Sequence, residues 1–289
     1  MTAAVQGHGP GRPTGPVLCV ASQVVAGHVG LGATVPALAA SGIEAWPLPT
    51  VTLSGHAATA GVRVRRATGE EIAALAEGLE EAGVLPRLAG LALGYLGSVQ
   101  AAQAAADLAD RAATLAPGAT ILTDPVLGDD GRLYLPAEVG EVYRARLIPR
   151  AALATPNLFE LGWLTGRPVD DLPRIVAAAE ALRAEGPAAV FVTSVAPSPG
   201  RIGALAVWEG GAALAHGPET PRRINGAGDF LAARLLAETL AGASPPEAAA
   251  RAVGAAAALA AQARAQDRDD LPVASARWLD APAAQLSPL

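Results

Sequence analysis

Short apolar runs alternate with helix-period stretches from residue 16 to residue 265, and this alternation restricts the chain to few architectures. Strands are expected near residues 16–21, 44–48, 88–93, 119–123, 151–154 and 188–192, with a flanking strand near 63–66. Helices are expected near 31–41, 69–82, 98–115, 137–148, 158–164, 172–184, 229–241 and 245–265. Strands separated by helices imply an α/β fold, a mostly parallel sheet covered on both faces. Residues 202–208 and 212–216, turned by Gly210-Gly211, add an antiparallel edge hairpin. No repeat or linker interrupts the pattern, so residues 17–289 are expected to form one domain, closed by a polar tail after residue 265. Residues 1–16 are rich in Gly and Pro, lack the apolar core of a signal peptide and are expected to be a flexible tail.

In such sheets the ligand crevice lies beyond the carboxyl ends of the strands. Ser22, Tyr95, Asp124, Thr155, Asn157, Thr193 and Ser194 each follow an expected strand. One such residue says little; together they mark one crevice.

Composition removes several function classes. The chain has 289 residues, 51% hydrophobic and 17% charged, which excludes disorder and leaves ample material for a core. Net charge is −6, and no basic run exceeds Arg63-Val64-Arg65-Arg66, so neither nucleic acid nor an anionic membrane is indicated. All 21 basic residues are arginine. Without lysine there is no Walker-A loop and no lysine Schiff base. Cys19 is alone, and His8, His28, His56 and His216 lack metal-ligand spacing. The alanine-rich stretches carry interspersed charges and do not read as membrane spans, so a cytoplasmic protein is expected.

The run Ile224-Asn225-Gly226-Ala227-Gly228-Asp229-Phe230 places two glycines and a carboxylate where a loop enters an apolar helix. Bare backbone admits a ligand, and unpaired N–H groups at a helix start attract anions. Beside a bound phosphate, Asp229 would take a proton from an attacking hydroxyl. The plain alternative is a glycine turn with an acidic residue in the first helical turn. Asp124-Pro125-Val126-Leu127-Gly128-Asp129 offers two carboxylates suited to a hard cation that bridges phosphates; a turn capped by Asp is the alternative. Asn157 and Glu160 lie on one helix face, in a spacing that also suits a capping box. Gly27, Gly30 and Gly32 surround His28 but depart from a dinucleotide-binding spacing. Trp46, Trp163 and Trp208 read as core residues.

In order along the chain, Ser22-Gln23-Val24-Val25-Ala26-Gly27-His28-Val29-Gly30, Trp46-Pro47-Leu48, Ser54-Gly55-His56, Gly94-Tyr95-Leu96-Gly97, the Asp124–Asp129 run, Thr155-Pro156-Asn157 with Glu160, Thr193-Ser194 and Gly226-Ala227-Gly228-Asp229 resemble the motifs of the pyridoxal kinases of the ribokinase-like (PfkB) superfamily. The resemblance covers residues 17–240. It implies a three-layer α/β/α ribokinase-like sandwich and transfer of the ATP γ-phosphate to the 5′-hydroxyl of pyridoxal. It casts Asp229 as general base and the Gly226, Ala227 and Gly228 amides as the anion hole. Asp124, Asp129, Asn157 and Glu160, with Thr155, would arrange Mg²⁺, its waters and K⁺. Thr193, Ser194 and Asn225 would lie along the nucleotide, and Ser22, His56 and Tyr95 would face the pyridine ring. Relatives of this kind imply a homodimer.

The substrate half departs from the family pattern. Ala26 replaces an aromatic or long residue, Leu31 an Asn, Ala57 a hydroxyl and Thr59 an aromatic wall. One lost hydrogen bond to a polar ligand group costs about 1–3 kcal/mol, enough to shift vitamer preference. Two alternatives therefore stand beside pyridoxal phosphorylation. One is a hydroxymethylpyrimidine or other small-molecule kinase of the superfamily; the other is a non-catalytic pyridoxal-binding relative.

Overall fold

The structure, a computed structural model, describes residues 15–220 and 224–289. The tail expected over residues 1–16 falls outside the described residues except for Gly15 and Pro16, and the Pro16 carbonyl already accepts the Ala89 N–H.

The chain runs β1 (Val17–Val24), α1 (Leu31–Ala40), β2 (Ala45–Leu53), β3 (Val64–Arg66), α2 (Gly69–Glu81), β4 (Gly90–Leu93), α3 (Val99–Leu115) and β5 (Thr120–Thr123). A small hairpin, β6 (Gly128–Asp129) and β7 (Arg132–Leu133), precedes α4 (Ala137–Val142), β8 (Leu153–Ala154), α5 (Leu158–Thr165) and α6 (Leu172–Arg183). Then follow β9 (Ala189–Val195), β10 (Arg201–Trp208), β11 (Gly211–Pro218), α7 (Ala227–Leu240), α8 (Pro245–Ala265) and β12 (Gln285–Pro288).

Ten strands form one sheet in the order β12-β11-β10-β9-β8-β5-β4-β1-β2-β3. The six from β9 to β2 are mutually parallel, as expected for strands joined by helices. Antiparallel strands close both edges, β10 to β12 on one side and β3 on the other.

Period-two alternation sends the two sides of each central strand into different layers. Leu18, Val20, Leu91, Leu93, Val190 and Val192 pack with residues of α2 to α6. Val17, Cys19, Ala21, Ala92 and Phe191 pack with residues of α1, α7 and α8. The result is the three-layer α/β/α sandwich with a mostly parallel sheet. Ala21, Ala92, Ala204, Ala206 and Ala215 present small side chains to the second layer, so the alanine-rich α7 and α8 sit close to the sheet. Local chemistry fixes the helix starts. Thr68 and Glu71 form a capping box at α2, and Ser98 and Asp171 cap α3 and α6, each such cap contributing about 1 kcal/mol.

Several expectations need correction. β2 continues through Leu53, well past the strand expected over 44–48; pairing with β1 carries it past Pro47 and Pro49 across a bulge at Ala21/Ser22. The helix expected over 137–148 is α-helical only to Val142, then widens into a π-helical turn, Tyr143–Leu147, that seats Tyr143 in the core. Ser22 lies within β1, and Thr193 and Ser194 within β9, rather than after those strands. The β10–β11 turn is Glu209-Gly210. The segment after residue 265 is no loose tail: Leu271, Val273 and Trp278 are buried, and β12 pairs with β11. Trp278 meets Phe230 edge-on at 5.0 Å and lies under the Arg234 guanidinium at 4.9 Å. It is the fully buried tryptophan, whereas Trp46, Trp163 and Trp208 sit partly buried at the margin of the core.

Candidate active site

The sequence-derived site residues divide along the sheet. Ser22 lies near the end of β1, His56 in the loop after β2, and Tyr95 shortly after β4; β2, β1 and β4 are adjacent. Asp124 follows β5, Thr155 follows β8, and Thr193 and Ser194 lie near the end of β9; these three strands are also adjacent. The carboxyl edge of the sheet therefore has two halves. One carries the ring-facing candidates and the other the phosphate and nucleotide candidates.

The N-terminus of α7 joins the halves. Gly226 precedes the helix with φ 81°, and a Cβ there would lie 1.9 Å from the His28 carbonyl oxygen. Gly30 has φ 58°, and its Cβ would fall 2.1 Å from the Ser22 carbonyl. Only glycine permits the two loops to interlock this closely. The contact delivers the Gly30 N–H to Asp229 Oδ2 at 2.9 Å. A Cβ at Gly228 would meet nothing within 4 Å, so bare backbone faces open space there. Asn225 is tied through its backbone: its N–H donates to the Asp269 carbonyl at 2.8 Å, which anchors the loop entering α7.

Electrostatics bring Asp124 and Asp229 together. Burial raises the Asp229 carboxyl above the usual range, opposed by the Gly30 N–H. Burial also pushes Asp124 up to about 7, and the neighbouring Asp229 charge contributes to the rise, while the Thr155 hydroxyl, donating to Asp124 Oδ1 at 2.9 Å, opposes it. Two like charges held in a desolvated crevice favour a cation or a proton between them.

Asn157 and Glu160 do something more local. Asn157 Oδ1 accepts the Glu160 N–H and Glu160 Oε2 accepts the Asn157 N–H, both at 2.9 Å, a reciprocal capping box at the start of α5. Glu160 Oε1 also accepts the Leu127 N–H at 3.0 Å, and Asn157 Nδ2 donates to the Gly128 carbonyl at 2.9 Å. The pair thus staples the 124–129 loop to α5. Glu160 is buried, and burial with the Asp124 charge raises its carboxyl well above the ordinary value despite these N–H donors. Asp129 stands in β6, where its Oδ1 accepts the Asp130 N–H at 2.8 Å. No group of three or more His, Cys, Asp or Glu among the described residues is arranged to hold a metal ion. A cation at this edge must therefore complete its shell with water or phosphate oxygens.

In the other half, Ser22 is buried beneath Gly30. Tyr95 is half-buried, its carbonyl accepting the Thr50 hydroxyl at 2.6 Å, and burial raises its phenol against the pull of Arg66. Tyr143 donates to the carbonyl of Gly94, fixing the segment that presents Tyr95. His56 is half-buried in the 54–63 loop, where its Nδ1 accepts the Ala58 N–H at 3.3 Å. Thr193 pairs with Asn157 through the backbone, and Ser194 is exposed with φ 62°.

Sequence reasoning passed over Thr50, Tyr143 and the Gly30 amide as site-shaping groups, and it placed Asp270 in the polar tail. Asp270 Oδ2 accepts the backbone N–H of His28 and meets its ring Nδ1, both at 2.9 Å. No local pattern announces a contact between residues 242 positions apart.

A family model described as phosphomethylpyrimidine kinase matches residues 87–273. The pyridoxal kinase PdxY of Leifsonia xyli subsp. xyli is 37% identical over 226 residues, 76% of this chain and 80% of that protein. The chain belongs to the pyridoxal kinase family. Another relative, the pyridoxine/pyridoxal/pyridoxamine kinase of Bordetella avium, is 37% identical over 232 residues, covering 79% of this chain and 78% of its own. A solved pyridoxal kinase from Leishmania donovani, in complex with ADP and pyridoxamine, matches with a TM-score of 0.87 at 29% identity, over 94% of this chain and 99% of its own. The sandwich is thus the ribokinase-like fold of a pyridoxal kinase. Among the described residues, no helix is long and apolar enough to cross a membrane.

Proposed function

We propose that this chain transfers the γ-phosphoryl group of ATP to the 5′-hydroxyl of pyridoxal, giving pyridoxal 5′-phosphate and ADP. The observation that carries the reading is the mouth of α7. There the Asp229 carboxylate is pinned through Oδ2 by Gly30, one residue after Gly228, whose bare backbone faces open space at the helix start. Asp229 Oδ1 takes the hydroxyl proton as the oxygen attacks phosphorus. A base whose pKa burial has raised binds that proton better than an ordinary Asp, which suits work near neutral pH. The Gly226, Ala227 and Gly228 amides, with the positive end of α7, receive charge developing on the phosphoryl oxygens. Transfer of this kind depends mainly on positioning and electrostatic stabilisation, and the two loops supply both.

Ser22, His56 and Tyr95, on the β2-β1-β4 half, hold the pyridine ring. Thr193, Ser194 and Asn225 flank the nucleotide on the β5-β8-β9 side. Mg²⁺ fits the reading because Asp124 is a desolvated carboxylate beside a second one. Asp124 and Asp129 would orient the hydrated ion, Thr155 would add an oxygen for K⁺, and Asn157 and Glu160 hold the loop in place. When bound, Mg²⁺ neutralises phosphate charge. Residues 17–289 as one domain, a homodimer and cytoplasmic residence complete the reading, supported by the family resemblance.

A second reading, a hydroxymethylpyrimidine kinase, draws support from the matching family model and from Ala57 and Thr59 in the substrate loop. Turnover of Mg-ATP with pyridoxal, pyridoxine, pyridoxamine and hydroxymethylpyrimidine, each with and without K⁺, separates the two. Pyridoxal is expected to give the highest kcat/KM. Faster turnover of hydroxymethylpyrimidine than of every B6 vitamer would replace the substrate assignment while leaving the kinase.

A further inference from the structure

The glycine loop after β1 is held from outside the sheet by a charged pair in the segment that follows α8. Asp270 Oδ2 accepts the His28 backbone N–H and meets His28 Nδ1, both at 2.9 Å. Arg268 forks onto the other oxygen, Asp270 Oδ1, through Nη2 at 2.8 Å and Nε at 3.1 Å, and its Nη2 lies 3.4 Å from His28 Nδ1. The Asp270 side chain is 19% exposed and that of His28 23%, so the pair is shielded from competing water. The same segment grips the other loop: the Asp269 carbonyl accepts the Asn225 N–H at 2.8 Å, and the Leu271 N–H donates to the Asn225 carbonyl. Residues 269–271 therefore touch the approach to α7 and the His28 loop at once. Two residues after His28, the Gly30 N–H holds Asp229.

We infer that Asp270, oriented by Arg268, is a positioning residue for phosphoryl transfer: it locks the His28–Gly30 loop so that the Gly30 amide holds Asp229 in line with the acceptor hydroxyl. This rests on Asp229 being the base. Nothing in the His28 contact requires Asp270 to touch substrate. Its two bonds to one residue fix both the path and the rotation of a loop that glycines at 27, 30 and 32 would otherwise leave pliable. A displacement of about 1 Å in a catalytic group costs roughly 100-fold in rate.

The test is a double-mutant cycle on the full chain with Mg-ATP and pyridoxal, in which kcat, ADP affinity and thermal midpoint are read for every variant. Asp270→Ala should lower kcat roughly 10- to 100-fold in the parent, with ADP affinity within about twofold. In the Asp229→Asn background the same change should cost less than about twofold, because there is no base left to position. Asp270→Asn keeps an oxygen for the His28 N–H and should recover much of the loss; it also serves as the probe should the alanine variant not fold. An equal loss in both backgrounds, or a parental kcat in Asp270→Ala and Asp270→Asn, would overturn the inference. A parental kcat in Asp229→Asn alone is a different failure: it removes the base assignment, and the inference falls with it.

Discussion

Replacing Asp124 by Asn removes a charge while preserving shape. The amide oxygen still accepts the Thr155 hydroxyl, which now donates to Oδ1 at 2.9 Å. In the folded chain, burial and then the Asp229 charge hold the Asp124 carboxyl up at about 7, against an ordinary 3.8. The folded state therefore binds its proton more tightly than the unfolded state does. Stability falls as pH rises from the unfolded value, and the penalty is complete above about pH 7. A rise of that size corresponds to about 4 kcal/mol, an upper bound that relaxation and water entry reduce to about 2 kcal/mol. Asp124→Asn should thus raise the ligand-free unfolding free energy by about 2 kcal/mol at pH 8, and by progressively less toward pH 4. Urea denaturation of parent and variant at pH 4, 6 and 8 reads the difference directly, since other titrating groups largely cancel in it. The same variant should lose most of its kinase activity with Mg-ATP. A gain that does not change with pH, or a loss of stability at pH 8, would refute the argument that Asp124 is an electrostatic cost kept for function.

Gly226→Ala places a Cβ 1.9 Å from the His28 carbonyl oxygen at φ 81°, so it should abolish turnover and lower the thermal midpoint; a fully active variant would show that the loops need not interlock. Glu160→Gln turns an amide donor toward backbone N–H groups that now share carboxylate oxygens, and should cost about 1–3 kcal/mol, with faster hydrogen exchange at Leu127 and Gly128. Trp278→Ala should cost about 3–5 kcal/mol by chemical denaturation, whereas a surface tail would tolerate it within about 0.5 kcal/mol.

The sheet and its helices were legible because each local pattern agrees with its burial. Leu18 and Val20 face one layer, Val17 and Cys19 the other, and the Thr68–Glu71 box marks the start of α2 within one residue of expectation. The carboxyl-edge residues were legible for the same reason, since the parallel topology puts every central strand end on one side. What failed was non-local. β12 is a four-residue strand with no apolar alternation; it exists because β11 presents an edge to pair with. Apart from Leu279, Trp278 has polar and small neighbours in the sequence, and the residues that meet it, Phe230 and Arg234, lie more than 40 positions away. Asp270 lies in the charged stretch Arg268-Asp269-Asp270, which resembles a solvated turn until the fold brings His28 to it. At Asn157 and Glu160 two readings fitted one spacing, and the structure shows the capping geometry, with Glu160 bonded to three backbone amides.

The most direct measurement compares parent and Asp229→Asn in pyridoxal 5′-phosphate formation from Mg-ATP and pyridoxal, alongside ADP affinity for each. Loss of a positioned general base should lower kcat by about 100- to 10,000-fold while ADP affinity stays within about twofold. A variant that keeps kcat within a few fold of the parent would contradict the account, because the carboxylate that Gly30 holds at the mouth of α7 would then have no part in the transfer.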